Sequence, residues 1–127
     1  MKAKTVEPLQ NQSVIALHEA IIKGIQEKKG MSLISLDLTD VSDSISDFFI
    51  ICHGDSPNQV RAIGESVQQV VKEELSERVG HSEGFDNLEW VLLDYFDCVV
   101  HIFLKEKRGF YNLEELWNDA RITEYED

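Results

Sequence analysis

Cysteine is scarce in this chain: there are only two, Cys52 and Cys98, and each stands within an apolar run of strand length. Two cysteines are too few for the disulfide frameworks that hold small secreted proteins together. We therefore expect both to be buried free thiols. Their small number favours a protein of a reducing compartment.

Long hydrophobic runs are also missing, because no apolar stretch approaches the roughly 20 residues that a transmembrane helix needs. The polar segment 1–12 has no apolar core of the kind found in signal peptides. These two features lead us to expect a cytoplasmic protein without a membrane anchor.

Basic residues are outnumbered, with 12 Lys and Arg against 24 Asp and Glu, for a formal net charge of -12. A surface this acidic is repelled by phosphate backbone, which argues against direct binding to nucleic acid. A basic protein is the better electrostatic match for a partner. An acidic surface that only keeps the protein soluble would have the same composition, so the charge leaves both interpretations open.

The length of 127 residues is that of one domain, and it is enough to bury a core without disulfides. We predict a loose N-terminal arm over 1–12, a single domain over 13–120 and a frayed acidic tail over 121–127. No internal repeat or interdomain linker is found.

Hydrophobic patterning predicts alternating helices and strands within the domain. Ser13 can cap a helix, since apolar residues recur at helical spacing after it. Residues 34–38 alternate as in a half-buried strand, 39–47 are typical of a loop, and 48–52 form a short buried strand. Asn112 can cap a last helix whose apolar side includes Leu113, Leu116 and Trp117.

The strand over 48–52 leads into a turn and a second helix. Ser56 fits the N-cap, Pro57 the first helical position and Gln59 the third, which together make a capping box. Gly64 lies on the apolar stripe of this helix and would allow a close approach to the sheet. The turn over 54–56 is a candidate anion site at a helix N-terminus. A plain connection is the better interpretation, because the turn has no lysine and Asp55 would repel an anion.

Two apolar runs within Trp90–Phe103, separated by a short polar turn, predict a β-hairpin in the middle of a sheet. Because side chains alternate along a strand, Leu88, Trp90 and Leu92 share one face. The turn carries Asp94 and Asp97, and the second strand presents His101. We expect the outer part of this hairpin to take part in function.

No residues form a credible catalytic or metal site. Cys98 and His101 are three apart on a strand and point to opposite faces, and no spacing matches a zinc site. Asp94 and Asp97 flank a turn, where aspartate is favoured for local hydrogen bonding. Neither Cys52 nor Ser56 has a suitable base beside it. We therefore expect a binding protein of mixed α/β class without catalysis, metal or cofactor.

Three motifs follow one another along the chain. The first is Asp47–Ser56 followed by Gln59, Val60, Ala62 and Ile63, the second spans Trp90–Phe103, and the third is the set Arg108, Phe110, Tyr111, Leu113, Glu114, Leu116 and Trp117. They resemble the motifs of the ribosomal silencing factor family, also called Iojap-like proteins. Their order and spacing together are quite specific, and they cover most of the chain from Ser13 to Trp117.

The resemblance implies an α+β fold, with a mixed sheet flanked by helices and similar to a nucleotidyltransferase core that lacks the catalytic acids. It also implies binding to the large ribosomal subunit through ribosomal protein L-fourteen. By this resemblance we expect such binding to block joining with the small subunit and to repress translation when nutrients are scarce. Organellar relatives act in assembly of the large subunit, but segment 1–12 shows no clear transit peptide, which favours the bacterial cytoplasm.

On this basis we predict a partner-binding site on the hairpin, with Trp90 as its apolar anchor. The predicted residues are Trp90, Leu92, Asp94, Tyr95, Asp97 and His101. Asp94 and Asp97 would pair with basic groups of the partner, and His101 would donate a hydrogen bond or pack against it. Trp90, Leu92 and His101 serve equally well as core residues, and the two aspartates as turn residues.

One position departs from the family pattern, because Phe96 stands where glycine is usual. Glycine would adopt a positive φ in this turn, which phenylalanine tolerates poorly. We expect a reshaped turn with an exposed Phe96 that adds apolar contact area. Three alternative functions stay open: a large-subunit assembly factor, a degenerate nucleotide-binding domain using the turn over 54–56, and a homodimer closed by the hairpin.

Overall fold

The computed structural model describes residues 2–41, 46–111 and 120–127 of the chain. Helices and strands follow one another there in the order α1 (Lys2–Glu27), β1 (Met31–Asp37), β2 (Phe48–Gly54), α2 (Pro57–Leu75), β3 (His81–Glu83), β4 (Trp90–Asp94), β5 (Cys98–Leu104), α3 (Lys105–Tyr111) and β6 (Arg121–Glu124). None of these helices is both long enough and apolar enough to cross a bilayer.

All six strands belong to one sheet, in the order β3-β4-β5-β2-β1-β6. Strands β2 and β5 run parallel in its middle, and the other neighbouring pairs are antiparallel. A parallel pair needs a long crossover, and here α2, β3 and β4 lie between the two strands in sequence. The predicted α+β class with a mixed sheet flanked by helices is confirmed, and so is the hairpin of β4 and β5.

Helices α1 and α2 cover one face of the sheet and bury the larger of its two cores. That core draws on both helices and on alternate positions of the strands, and includes Ile21, Ile25, Ile50, Ile63, Val67, Val91, Val100 and Ile102. On the opposite face the described residues form a smaller buried cluster of Leu36, Leu38, Ile51 and Phe103. One face of the sheet is therefore covered by two long helices, whereas the other face buries only a small cluster of side chains.

Two glycines allow the helices to approach their neighbours closely. A β-carbon at Gly24 of α1 would lie 2.7 Å from the Cα of Val67 in α2. The buried Ser66 hydroxyl donates to the carbonyl of Gly24 at 2.8 Å, so a hydrogen bond joins the helices at the same point. The predicted close approach at Gly64 exists, but the nearest group is the ring of Phe85, with 2.8 Å to its Cζ.

Both cysteines are buried free thiols, as expected. Burial raises the pKa of Cys52 to about 12. It also raises the pKa of Cys98, helped by the negative charge of Asp97. The thiolate is the reactive form of cysteine, so these two side chains are inert packing groups at neutral pH.

The connection from β2 to α2 has the predicted cap and an additional role. The Ser56 side chain accepts from the backbone N–H of Gln59 at 3.1 Å. The Gln59 amide oxygen in turn accepts from the backbone N–H of Asp55 at 2.7 Å. Its amide nitrogen donates to the carbonyls of Lys28 and Lys29, at 3.3 and 3.1 Å. Gln59 therefore fastens the end of α1 to the start of α2.

The structure differs from the prediction at both ends of the domain. Helix α1 begins at Lys2, so a helical backbone replaces the predicted loose arm; Lys, Ala and Glu in this segment are good helix formers. Residues Arg121–Glu124 form an edge strand on β1 instead of a frayed tail. This pairing satisfies backbone groups of β1 that would otherwise be open. The predicted helix after Asn112 lies outside the described residues.

We predict that Gln59→Ala lowers the free energy of unfolding by about 1–2 kcal/mol, since three hydrogen bonds to backbone groups are lost. Urea denaturation followed by circular dichroism measures the change. Asn58→Ala, at an exposed neighbouring position of α2, is the matched control and should change stability by less than half as much. Equal stabilities of the two variants would contradict the role given to Gln59.

Candidate partner-binding surface

The pairing of β4 with β5 determines which hairpin side chains lie together. Trp90 pairs with Phe103, Leu92 with His101 and Asp94 with Val99. Paired residues of neighbouring strands point to the same face, so these six side chains lie opposite α1 and α2. We call Trp90, Leu92 and Asp94, together with Phe96 and Asp97 of the following turn, the hairpin surface.

Trp90 is half-buried and is held from several sides. Its ring stacks on Phe103, with 5.1 Å between ring centroids, and contacts Tyr111 of α3 at 4.5 Å. Its indole N–H donates to Nδ1 of His101 at 3.1 Å. The side chain is thus fixed in one orientation while part of it still faces outward. Trp90 is therefore a core residue on its packed side and a surface residue on its exposed side.

His101 is buried, with 4% of its surface exposed. Because Nδ1 accepts the hydrogen bond from Trp90, the neutral ring carries its proton on Nε2. Burial lowers the pKa of His101 from 6.5 to about 4, so the ring is neutral at physiological pH. Nε2 has no hydrogen-bond partner among the described residues. The structure places His101 beside Leu92 on the same face of the sheet, buried among aromatic neighbours, where it orients Trp90.

Asp94 and Asp97 shape the turn, as one of the two interpretations predicted. The Asp94 carboxylate accepts from the backbone N–H of Phe96 at 2.8 Å. The Asp97 carbonyl accepts from the N–H groups of Asp47 and Phe48 at 2.9 and 3.0 Å, which ties the turn to the start of β2. The Asp97 side chain is exposed and that of Asp94 is half-buried. Both carboxylates can therefore also meet a partner.

Tyr95 is not brought together with the other predicted site residues. It points into the core beneath α1 and α2, with 2% of its surface exposed. Burial, followed by the negative charge of Glu77, raises the pKa of its hydroxyl. A direct contact of Tyr95 with a partner would require the hairpin to open. In this structure Tyr95 anchors the turn from the inside.

Phe96 keeps the backbone that glycine would adopt, with a φ of 72°. The predicted reshaping of the turn is therefore wrong, because local hydrogen bonds impose the positive φ in spite of the β-carbon. The predicted exposure is confirmed, since 72% of the Phe96 surface is accessible.

The residues considered for metal binding do not converge. Cys52 and Cys98 lie on the face covered by α1 and α2, whereas His53 and His101 lie on the other face. No group of three metal-ligating side chains occurs within the described part of the chain. His53 instead lies 3.1 Å from a guanidinium nitrogen of Arg108, and burial and this positive charge lower its pKa.

The candidate anion site at the turn over 54–56 is already filled by hydrogen bonds and contacts within the protein. The backbone N–H of Asp55, which would be offered to an anion, donates to Gln59. A β-carbon at Gly54 would lie 3.1 Å from the backbone nitrogen of Val60, so the turn is already closely packed. This geometry is that of a plain strand-to-helix connection.

Helix α3 contributes residues that the sequence did not reveal as part of this surface. Tyr111 contacts both Trp90 and Phe103, whereas the sequence indicated it only as a member of the third motif. Arg108 of the same helix donates to the carbonyl of Ser32 at 2.6 Å. The third motif, which contains both residues, was the available signal.

The chain matches a known protein family over most of its length. The family model described as ribosomal silencing factor during starvation matches residues 11–127. Ribosomal silencing factor RsfS of Halalkalibacterium halodurans is 39% identical over 118 residues, covering 93% of this chain and 97% of that protein. RsfS of Bacillus subtilis is 41% identical over 98 residues, covering 77% of this chain and 81% of the relative.

A plant relative and two crystal structures show the same family likeness. The chloroplastic protein Iojap of Zea mays is 41% identical over 77 residues, covering 61% of this chain and 33% of that protein. A crystal structure of a protein from Chromobacterium violaceum superposes with a TM-score of 0.77 at 35% identity, covering 83% of this chain and 86% of the other. One from Bacillus halodurans gives 0.74 at 35% identity, covering 87% and 98%. The chain therefore belongs to the ribosomal silencing factor family.

Proposed function

We propose that this protein binds the large ribosomal subunit through ribosomal protein L-fourteen and sterically blocks joining with the small subunit. In this way it represses translation in the bacterial cytoplasm when nutrients are limiting. Membership of the family supports a regulatory role at the ribosome. The observation that carries the proposed contact is the half-exposed apolar centre of the hairpin surface with carboxylates beside it.

The composition of the hairpin surface suits a basic protein. Trp90 and Leu92 are both half-exposed and supply the apolar contact. Asp94 and Asp97 stand next to them and can pair with Lys or Arg of the partner. Aromatic anchors surrounded by polar groups carry most of the binding energy in many interfaces. The net charge of -12 adds long-range attraction to a basic partner.

His101 acts as a positioning residue in this proposal. Its Nδ1 fixes the indole of Trp90, and its neighbours Phe49 and Phe103 pack against it, with 4.8 and 6.5 Å between ring centroids. An anchor that is already held in its bound orientation loses less entropy on binding. Tyr95 has a similar indirect role, because it holds the turn from within the core.

This function requires no chemistry at the site. The inert cysteines and the separation of the cysteines from the histidines are in keeping with a binding role. The nucleotide-binding alternative is disfavoured by the occupied N–H of Asp55. A role in assembly of the large subunit would use the same surface. A homodimer closed by the hairpin surface would compete with ribosome binding.

We predict that Leu92→Ser raises the dissociation constant for purified large subunits by at least tenfold, because an apolar contact at the centre of the surface is lost. Co-sedimentation titrations measure the binding, and circular dichroism checks that the variant is folded. Ile15→Ser is the matched control: Ile15 is 51% exposed and lies on α1, on the other side of the sheet. Unchanged binding of Leu92→Ser would refute the assignment of the surface.

A second prediction concerns His101 and pH. The folded pKa of about 4 lies below the ordinary value of 6.5, so the unfolded chain takes up the proton first as the pH falls. The free energy of unfolding should decrease between pH 6.5 and 4, by up to about 3 kcal/mol from this group. Burial lowers the pKa of His18 and His53 as well, and both add to the same trend.

Nuclear magnetic resonance of the imidazole separates His101 from these other histidines. Its ring should remain in the neutral form, protonated on Nε2, down to pH 5. Titration of the His101 ring near pH 6.5 in the folded protein would contradict the described burial.

A further inference from the structure

Phe96 is the most exposed large apolar side chain among those whose burial the structure describes. Its exposed fraction is 72%, against 51% for Ile15, 48% for Ile122 and 38% for Tyr111. It occupies the tip of the hairpin, directly beyond Asp94 on the hairpin surface. Exposure of a phenylalanine at such a position has no benefit for the isolated fold, because it leaves apolar area in water.

The backbone at Phe96 is also unfavourable for this residue type. Its φ of 72° lies in the region that suits glycine. The N–H of Asp97 donates to the carbonyl of Tyr95 at 2.9 Å, which closes a γ-turn around Phe96. The γ-turn with a positive φ is rare and strained. Residues held in such conformations cluster at functional sites, where the surrounding structure maintains them.

Several hydrogen bonds maintain this conformation. The Phe96 N–H donates to the Asp94 carboxylate at 2.8 Å, and its carbonyl accepts from the Ser46 hydroxyl at 2.8 Å. The backbone N–H of Tyr95 donates to the carbonyl of Cys98 at 2.9 Å across the turn. The turn would form with glycine at the same position, so the phenylalanine ring is not needed to build it.

The ring of Phe96 packs against Gly80, directly before strand β3. A β-carbon at Gly80 would lie 2.8 Å from its Cε2 and 3.1 Å from its Cζ, so the ring rests on the bare backbone of Gly80. The N–H of Gly80 donates to the carbonyl of Asp94 at 2.9 Å, which fixes this backbone to the hairpin. One side of the ring therefore packs on the backbone, and the other side is exposed to solvent in a fixed orientation.

Acidic residues lie close to Phe96 along the chain. Asp94 and Asp97 flank it in sequence, and Glu77 is close enough to influence the nearby Tyr95. An aromatic face beside carboxylates suits a guanidinium or ammonium group, which can contact the ring and pair with an acid. The ligand chemistry that fits is a basic protein surface, the same as for the rest of the hairpin surface.

We propose that Phe96 is a second aromatic anchor, which docks against a Lys- or Arg-bearing surface of the basic protein that Trp90 and Leu92 contact. This inference rests on the proposed function, because it assigns Phe96 to the same partner. The positive φ makes the residue costly for the fold, and contact with the partner is the gain that offsets it.

The test replaces Phe96 by glycine and measures stability and binding together. Phe96→Gly should be at least as stable as the unaltered protein in thermal unfolding, because the backbone strain is relieved. Its dissociation constant for large subunits should rise about tenfold, since an aromatic anchor is lost. Phe96→Asn, which tolerates the same φ, should lose binding to a similar extent, and Phe96→Tyr should keep it.

Lys29→Gly is the matched control. Lys29 follows the end of α1 with a φ of 59°, at the end of the sheet opposite to the hairpin turn, so glycine relieves a similar conformation away from Phe96. Its binding should not change. Normal binding by Phe96→Gly, with binding lost in Leu92→Ser, would overturn this inference and leave the proposed function standing. A failure of the unaltered protein to bind large subunits would overturn both.

Discussion

The parallel pairing of β2 with β5 is the constraint on which the rest of the structure depends. Every residue from Phe48 to Gly54 pairs with one from Cys98 to Leu104, which makes these two strands the centre of the sheet. The crossover between them carries α2 onto one face, where Gly24 and Ser66 bring α1 against it. The two long helices therefore occupy the same side. The hairpin surface is a consequence, because β4 can present Trp90 and Leu92 only on the opposite side.

In the proposed function, the protein acts by holding a binding surface in a fixed conformation. The hydrogen bond from Trp90 to His101 orients an aromatic side chain that is neither fully buried nor free. The turn beyond it holds Phe96 in a conformation that glycine would adopt more easily. Both features cost stability or exposure in the isolated molecule. In the proposed function these features have a use, because a regulator that blocks subunit joining needs a rigid surface.

Much of this architecture could be predicted from the sequence, and the exceptions have physical reasons. The capped helix after Ser56 and the hairpin over Trp90–Phe103 follow local rules of capping and alternation. The pairing of Arg121–Glu124 with β1 could not be predicted, because it depends on a distant edge. Alternation placed Trp90 and Leu92 together, but only the cross-strand register shows that His101 lies beside them on the same face. The φ of Phe96 was misjudged because hydrogen bonds from Asp94 and Ser46 outweigh its local preference.

The central claim is that this protein binds the large subunit and prevents joining. The most direct measurement is sedimentation of the purified protein with isolated large subunits, isolated small subunits and a joining mixture of both. The account predicts migration with large subunits alone, together with a fall in joined ribosomes as protein is added. Absence of co-migration at micromolar protein, or an undiminished yield of joined ribosomes despite binding, would contradict it.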